Sequence, residues 1–264
     1  MPSLDQVDWD DIRVFLAVMR GKSLRAAADR MGLSHPTARR RLGELESQLG
    51  LQLFERRRDG LHPTTEAGQL LGPAEDVERA MAALGRAAQA ADSSLRGPIR
   101  VTMPGNVATD LLMPQLVEFA KQWPEIDLRL QTDYALADLD RREADVAVRF
   151  MAVGTRPAEH LAGRLAVTVY RAVYGSDHCW IGWKGEPEDR QWVSATSFPD
   201  LPVRGAFDNT AAQRSACAAG MGLTMLPCFF AEPMLQRVTE PEPAWDAWVL
   251  VHPDLKRSPR LRRF

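Results

Sequence analysis

Two short amphipathic segments joined by a tight turn constrain the fold more than any other part of this chain. Residues 24–31 carry apolar side chains at helical spacing after Ser23, a good N-cap, and residues 35–49 repeat that pattern after Ser34. Gly32 supplies a C-terminal break between them. A helix pair of this kind, with the N-terminal polar residues of its second helix turned outward, is the geometry that enters a DNA major groove. The segment therefore indicates DNA binding.

The second helix of the pair offers the residues expected to touch DNA. At about 100° per residue Arg40 lies opposite the apolar stripe, and arginine pairs bidentately with guanine, so Arg40 is the first candidate for base reading. Two arginine triplets, 39–41 and 56–58, place positive charge beside the motif. An arginine run alone is as often a solvent-exposed protein face as a DNA-binding one. Arg39 is expected to contact the DNA backbone or to lie in solvent. The predicted DNA-binding residues are Ser23, Ser34, His35, Pro36, Thr37, Arg39, Arg40, Arg56 and Arg58.

The flanking segments complete a winged helix-turn-helix. Residues 9–19 have helical apolar spacing and predict a first helix that packs beneath the pair. After Gly50, residues 51–61 predict a short hairpin with Asp59-Gly60 at its turn. The hairpin is the wing, and its arginines are placed to reach phosphates or the minor groove.

Several short sequence blocks in the N-terminal third resemble one known family. The blocks are FLAV at 15–18, SLRAAA at 23–28, LSHP at 33–36, LGELE at 42–46 and LFER at 53–56. In this order and at these separations they resemble the LysR-type transcriptional regulators. The resemblance implies a winged helix-turn-helix, a linker helix that dimerises, and an effector-binding domain with a periplasmic-binding-protein-like fold.

Residues 65–91 predict a long helix with a narrow apolar seam. The seam alternates spacings of four and three through Leu70, Ala74, Val77, Met81, Leu84, Ala88 and Ala91. So narrow a stripe packs more often against a partner helix than against a globular core, so a dimerising helix is favoured over a core helix. Gly72-Pro73 predicts an interruption with a kink, and the polar residues 92–97 predict a domain boundary.

From Pro98 onward strands alternate with helices. The order of strands and helices over 99–150, including a short polar helix over 138–143, predicts a parallel sheet. A second α/β unit follows, and residues 247–251 are expected to return as a strand of the first. Two such lobes form a cleft that binds small molecules. Further blocks that resemble the LysR effector domain are PQL at 114–116, WP at 123–124, ADVAVR at 144–149, GMG at 220–222 and LP at 226–227.

Loops after strands and helix N-termini supply the candidate effector contacts. Backbone N–H groups at 104–106 are placed to hold a carboxylate, and residues 208–210 play the same part in the second lobe. Asn106 and Asn209 are alternatively plain helix caps, and Arg149 a member of a buried ion pair. The predicted effector-binding residues are Pro104, Gly105, Asn106, Arg149, Phe150, Asp208, Asn209 and Thr210.

Composition argues against several other classes of protein. The five histidines form no metal-spaced pair, and residues 176–178 are neighbours that cannot adopt triad geometry. Cys179, Cys217 and Cys228 lack metal-ligand spacing and are expected to be buried apolar cysteines, with a redox switch as the alternative. We therefore predict no enzymatic activity, no cofactor and no metal. No apolar run reaches about 18 residues and no export signal is visible, so we expect no membrane span and a cytoplasmic location.

We predict an α+β multidomain chain with a two-lobed effector domain, which the resemblance implies is periplasmic-binding-protein-like. The predicted ranges are a winged helix-turn-helix domain over 1–63, a linker helix over 64–92 and an effector domain over 97–264. Lobe I covers about 97–170 and 245–264, and lobe II about 175–240. The expected function is sequence-specific operator binding modulated by a small-molecule effector. Expected partners are double-stranded DNA, an unknown effector and a second copy of the chain in a homodimer. The resemblance also implies a homotetramer.

Two departures from the family pattern keep alternatives open. The span between 174–176 and 181–183 is shorter than in the family, and the sequence ends at Phe264, where the family continues through a final helix. One alternative is a regulator with a degenerate effector lobe that responds to no ligand. Another is a small-molecule-binding protein whose DNA-binding domain is vestigial.

Overall fold

The computed structural model describes residues 7–57, 60–133, 138–176, 178–184, 191–232 and 234–264. The chain divides into two compact units, unit 1 over Met1–Gly85 and unit 2 over Arg86–Phe264. The division falls within one long helix, and each unit has its own apolar core.

Unit 1 begins with the three predicted helices, α1 (Trp9–Gly21), α2 (Leu24–Met31) and α3 (His35–Leu49). Ser23 and Ser34 cap α2 and α3, since each hydroxyl oxygen accepts the backbone N–H three residues later at 3.3 Å. Both helices end at glycines with φ of +66°. This left-handed conformation is unfavourable for residues that carry a Cβ atom. The shared core includes Val14, Phe15, Leu16, Ala27, Ala38, Leu42 and Leu45.

The wing is the antiparallel hairpin of β1 (Phe54–Arg57) and β2 (Gly60–Pro63). The Glu46 carboxylate of α3 accepts the backbone N–H groups of Leu53 and Phe54 at 2.7 and 3.2 Å. These bonds tie the start of the hairpin to the helix. Arg58 and Asp59 of the predicted turn lie outside the described residues.

A helix of 27 residues, α4 (Thr65–Ala91), follows the wing. The helix continues through Pro73, so the interruption that the sequence predicted there is absent. Because proline has no N–H to donate, one helical hydrogen bond is lost at that point. On the predicted seam, Val77, Met81 and Leu84 remain 40, 40 and 64% exposed. These three positions therefore form an exposed apolar stripe in the single chain, whereas Leu70 and Ala74 of the seam pack against the core of unit 1.

Unit 2 opens with three parallel strands, β3 (Gly97–Met103), β4 (Ile126–Thr132) and β5 (Val146–Ala152). The connection from β3 to β4 is a π-helical segment, Val107–Leu112, that leads into α5 (Met113–Gln122). Pro114 in the first turn of α5 has no N–H to donate, which fits the irregular bonding just before it.

The short helix predicted over 138–143 is wrong. The structure has turns over 139–142 instead. The Asp138 carboxylate accepts the backbone N–H of Arg141 at 3.1 Å, and Arg142 is left-handed at φ +58°. A side chain that bonds its own turn, followed by a left-handed residue, closes the chain before a helix can propagate.

Three further strands complete a six-stranded sheet in unit 2. They are β6 (Ala162–Tyr174), β9 (Thr224–Pro227) and β10 (Glu242–Val251), and the strand order is β4-β3-β5-β10-β6-β9. β10 is antiparallel to β5 and β6, which confirms the predicted return of residues 247–251.

The second lobe has a small parallel sheet of β7 (Trp180–Trp183) and β8 (Val203–Phe207). Its helices are α6 (Gln191–Ser194), α7 (Thr210–Ala218) and α8 (Cys228–Ala231), and a 3-10 turn, Pro253–Arg257, lies near the chain end. Trp180 is fully buried in the core of this lobe, where its Nε1 donates to the Phe198 carbonyl at 2.9 Å.

Candidate functional site

A groove in unit 1 lies between the start of α2, one face of α3 and the wing. Its volume is about 750 Å³. The basic side chains that line it are Lys22, Arg25, His35, Arg39, Arg56 and Arg57. The lining acid Glu46 already binds the wing amides, so the groove is predominantly positive. Such a surface attracts a phosphate backbone.

The groove brings together four of the predicted DNA-binding residues, namely Ser23, His35, Arg39 and Arg56. Arg40 is outside the groove lining. Its side chain is 61% exposed, and Nη1 donates to the Glu44 carboxylate one helical turn on. Arg40 and Arg39 therefore present guanidinium groups on neighbouring faces of α3.

The remaining predicted residues lie at the start of α3 or outside the description. The Ser34 and Thr37 hydroxyl groups lie 2.8 Å apart, and Pro36 is exposed in the first turn. Arg58 lies outside the described residues. Sequence reasoning missed Lys22, Arg25 and Arg57 as groove residues, although their basic character beside the α2 cap and the wing was a usable signal.

Arg41, the third arginine of its triplet, stabilises unit 1 internally. Nη1 donates to the carboxylate of Asp11 on α1 at 3.0 Å, and Asp10 lies 3.3 Å away. Burial raises the pKa of Asp11, while the hydrogen bond from Arg41 lowers it in opposition. This pair joins α1 to α3 beneath the exposed face of α3.

A cavity of about 710 Å³ lies in unit 2. Aromatic side chains line it from distant parts of the sequence, namely Phe150, Trp183, Trp192 and Trp245. The Phe150 and Trp245 rings stack with centroids 6.0 Å apart, and Trp192 meets Trp180 edge to face at 5.3 Å. Polar lining comes from Asn106, Thr196, Ser197, Thr210, Gln213 and Thr239, and charged lining from Arg171, Glu240 and Glu242. The size and lining suit a small organic ligand.

Three of the predicted effector residues, Asn106, Phe150 and Thr210, line this cavity. Pro104, Gly105, Arg149, Asp208 and Asn209 are not among its lining residues.

Two of those five residues have structural bonds instead. The Asn209 carboxamide oxygen accepts the N–H of Ala212 at 2.8 Å and caps α7. Arg149 is buried and donates to Thr102 Oγ1 and the Val148 carbonyl, both at 2.8 Å, and burial lowers its pKa. The observed contact of Asn209 is therefore the helix cap that the sequence offered as an alternative to effector binding.

An ion pair in unit 2 joins the π-helical segment to α7. Arg214 Nη1 lies 2.8 Å from the Asp110 carboxylate and donates to the Phe230 carbonyl at 2.9 Å. The guanidinium also lies 3.8 Å from the centre of the Phe230 ring. The pair therefore ties the first lobe to the second.

The three cysteines are free thiols. Cys179 and Cys217 are buried, Cys228 is half-buried, and burial raises the pKa of Cys217 to about 11. Within the described ranges, no group of three or more histidine, cysteine or acidic side chains has an arrangement that could hold a metal ion. None of the helices in the described part of the chain combines the length and the apolar content needed to cross a membrane.

Comparison with known proteins identifies the family. Residues 9–69 match the model of the bacterial regulatory helix-turn-helix protein, lysR family, and residues 92–264 match the LysR substrate binding domain. The chain therefore belongs to the LysR family of bacterial transcriptional regulators, which confirms the resemblance found in the sequence.

Individual relatives agree with this assignment. An HTH-type transcriptional regulator of Xanthomonas campestris pv. campestris (strain 8004) is 35% identical over 187 residues, covering 68% of this chain and 51% of that protein. The HTH-type transcriptional activator AmpR of Rhodobacter capsulatus is 30% identical over 242 residues, covering 82% of this chain and 78% of that protein. The chain spans about half the length of several curated relatives it matches.

A solved structure supports the fold. The full-length Vibrio cholerae virulence activator AphB superposes with a TM-score of 0.59 at 18% identity, covering 97% of this chain and 96% of that chain. The α+β multidomain architecture, with an N-terminal helix-turn-helix and a C-terminal LysR substrate domain, is thus confirmed.

Proposed function

We propose that this chain is a ligand-responsive transcriptional regulator that binds a specific operator through α3 and the wing. The observation that carries this proposal is the groove of unit 1, where six basic side chains border α3 and the hairpin. Ser23 and Ser34 cap α2 and α3, so the groove is bordered by regular helices rather than by loops.

In the proposed complex the N-terminal turns of α3 enter the major groove. Arg40 and Arg39 supply guanidinium groups for base edges or for the flanking backbone. His35, Pro36 and Thr37 lie at the same helix end, and Ser34 is placed to donate to a phosphate. Arg56 contacts phosphates from the wing together with Arg57, and Arg58 is proposed to join them. Ser23, at the start of α2, lies against the backbone.

We propose that the active species is a homo-oligomer, either a dimer or a tetramer. The exposed apolar stripe through Val77, Met81 and Leu84 of α4 is the surface that supports a helix–helix contact. A pair of DNA-binding units related by two-fold symmetry would read an operator with matching half-sites. Such a complex operates in the cytoplasm, where the DNA is.

The effector half of the proposal concerns the cavity of unit 2. A small molecule bound there would change operator affinity only through different affinities for two states of the oligomer. The domain ranges 1–63, 64–92 and 97–264 are proposed as the functional divisions. The formed cavity argues against a degenerate lobe, and the basic groove argues against a vestigial DNA-binding domain.

The decisive experiment measures binding of the purified chain to DNA from upstream of its own coding region. Fluorescence anisotropy should show saturable binding that an unrelated duplex does not match. Arg40→Ala should cost about 1–3 kcal/mol on the cognate site and relax the preference at one base position. Arg13→Ala is the control, because Arg13 is an exposed arginine of α1 that does not line the groove.

A wing variant separates phosphate contact from base reading. Arg56→Ala should weaken binding to all sequences and reduce the slope of log affinity against log salt by about 1. An unaltered salt dependence would exclude Arg56 from phosphate contact. Equal binding of the cognate and unrelated duplexes would contradict sequence-specific recognition.

A further inference from the structure

The charged groups of the unit 2 cavity carry information about its ligand. Among the described lining residues three are charged, the cation Arg171 and the anions Glu240 and Glu242. The Arg171 guanidinium donates to the Glu242 carboxylate at 2.8 Å, and its carbon lies 5.8 Å from the Trp245 ring centre. The one lining cation in this part of the chain is therefore already compensated within the wall.

Glu240 is the second carboxylate of the lining, and the described part of the lining offers no second cation to balance it. It lines the cavity without an ion-pair partner among the described residues, so the lining carries one more carboxylate than guanidinium. An anionic ligand would have to enter against this charge, whereas a cationic ligand would be attracted by it.

Three donors near the predicted carboxylate sites have partners within the chain. Asn106 Oδ1 accepts the N–H of Val107 at 2.9 Å, which uses a donor at the helix start where a carboxylate was expected. The matching N–H in the second lobe, that of Ala212, bonds to Asn209. Arg149 is buried and donates to Thr102. These three donors are therefore not free to hold an acid.

Aromatic faces dominate the rest of the wall. Trp183, Trp192, Trp245 and Phe150 offer flat apolar surfaces, and tryptophan faces attract cations through the ring quadrupole. Trp192 Nε1 is buried and has no hydrogen-bond partner within the described part of the chain. A buried N–H donor without a partner favours a ligand that brings an acceptor.

We propose that the cavity binds a flat aromatic ligand that carries a protonated amine rather than a carboxylate. The ring lies against the tryptophan walls, and the ammonium group lies toward Glu240. An oxygen or ring nitrogen of the ligand accepts from Trp192. This assignment names the chemistry of the effector and rests on the proposed function for its regulatory meaning.

The test uses three small probes with the same ring and different charge. Phenethylamine, 2-phenylethanol and phenylacetate are titrated into the full chain by isothermal calorimetry. Phenethylamine should bind about threefold or more tighter than the alcohol and about tenfold or more tighter than phenylacetate. Tighter binding of phenylacetate, equal binding of all three, or no binding of any would overturn the proposal.

Variants localise the effect. Glu240→Gln should bring the affinity for phenethylamine close to that for the alcohol and leave the alcohol unchanged. Glu118→Gln, an exposed acid of α5 outside the cavity lining, is the matched control and should change neither. Trp192→Phe keeps the ring but removes the donor, so it should weaken ligands with an added acceptor oxygen and spare phenethylamine. If Glu240→Gln leaves the preference for the amine intact, the assignment of Glu240 is overturned.

Operator binding is followed in parallel to separate the two proposals. If phenethylamine binds at the cavity and operator affinity does not change, the ligand chemistry stands and the regulatory role fails. If the operator is bound and the carboxylate is the tighter ligand, the regulator stands and the ligand chemistry fails.

Discussion

Polar groups on the exposed face of α3 and the ion pairs of unit 2 are held over different distances along the chain. In unit 1, the hydroxyl of Ser34 bonds three residues away and the guanidinium of Arg40 four residues away, both within one helix. In unit 2, Arg171 bonds a partner 71 residues away and Arg214 a partner 104 residues away. The exposed face of α3 is thus held largely by contacts inside one helix, whereas the cavity exists only when remote segments have come together.

This difference has an energetic consequence. A local contact loses little conformational entropy when it forms, because the helix already places its partners on the same face. A long-range contact requires the loops between its partners to close first. Substitutions in unit 2 should therefore disturb its architecture more than comparable surface substitutions in unit 1.

The largest effect is expected at the fully buried Trp180 in the second lobe of unit 2. Trp180→Ala should lower the free energy of unfolding by about 3–5 kcal/mol, because it removes ring contacts with Trp192 and Phe198 and leaves a cavity. Urea unfolding monitored by circular dichroism measures the loss. Trp180→Phe should recover part of it, and a loss below about 1 kcal/mol would contradict a packed second lobe.

The Arg41–Asp11 pair is a long-range polar contact between α1 and the recognition helix. Arg41→Met should cost about 1–3 kcal/mol at neutral pH, a range reduced because Arg41 is 22% exposed. Burial already holds the pKa of Asp11 above 3.8, and losing Arg41 raises it further. The folded state then binds a proton more tightly than the unfolded state. The ionised Asp11 carboxylate therefore lowers the free energy of unfolding at neutral pH. The lost free energy is regained as the pH falls through the raised pKa of Asp11 toward 3.8.

Unfolding of the Arg41→Met variant at neutral and mildly acidic pH checks the sign. The deficit relative to the unsubstituted chain should shrink on acidification. Arg13→Met, which alters an exposed partner of Asp10, is the control and should show little effect at either pH. A deficit that grows with acid would contradict the raised pKa of Asp11.

Helix caps offer a matched comparison between the units. Ser34→Ala in unit 1 and Asn209→Leu in unit 2 should each cost about 1 kcal/mol of stability, because each removes an acceptor for a helix N–H. Asn209→Asp keeps the cap and should be close to neutral. If Asn209→Asp instead changes ligand affinity, Asn209 contacts the effector as the sequence predicted.

The smallest effects come from two ion pairs measured by double-mutant cycles. The Arg214–Asp110 pair, with side chains 18 and 23% exposed, should couple by about 1 kcal/mol. The local Arg40–Glu44 pair, 61 and 43% exposed, should couple by about 0.3–0.5 kcal/mol. Equal coupling energies would show that the contrast between the units does not extend to their ion pairs.

The sequence alone determined the helix pair of residues 23–49, its caps and the family. Those signals act within three or four residues, since a serine caps its own helix and apolar spacing sets the buried face. The family resemblance followed from short blocks in order, and the positions of most strands of unit 2 along the chain were predicted from their apolar pattern.

Only the tertiary structure decided which residues line the cavity. Trp183, Trp192, Arg171 and Trp245 converge from separate strands and helices, and no local pattern marks any of them as a neighbour of the others. It also decided that Arg149 is buried, with its guanidinium bonded to Thr102, 47 residues away. The physical reason is that packing and long-range hydrogen bonds depend on how distant segments meet. These contacts override local propensity.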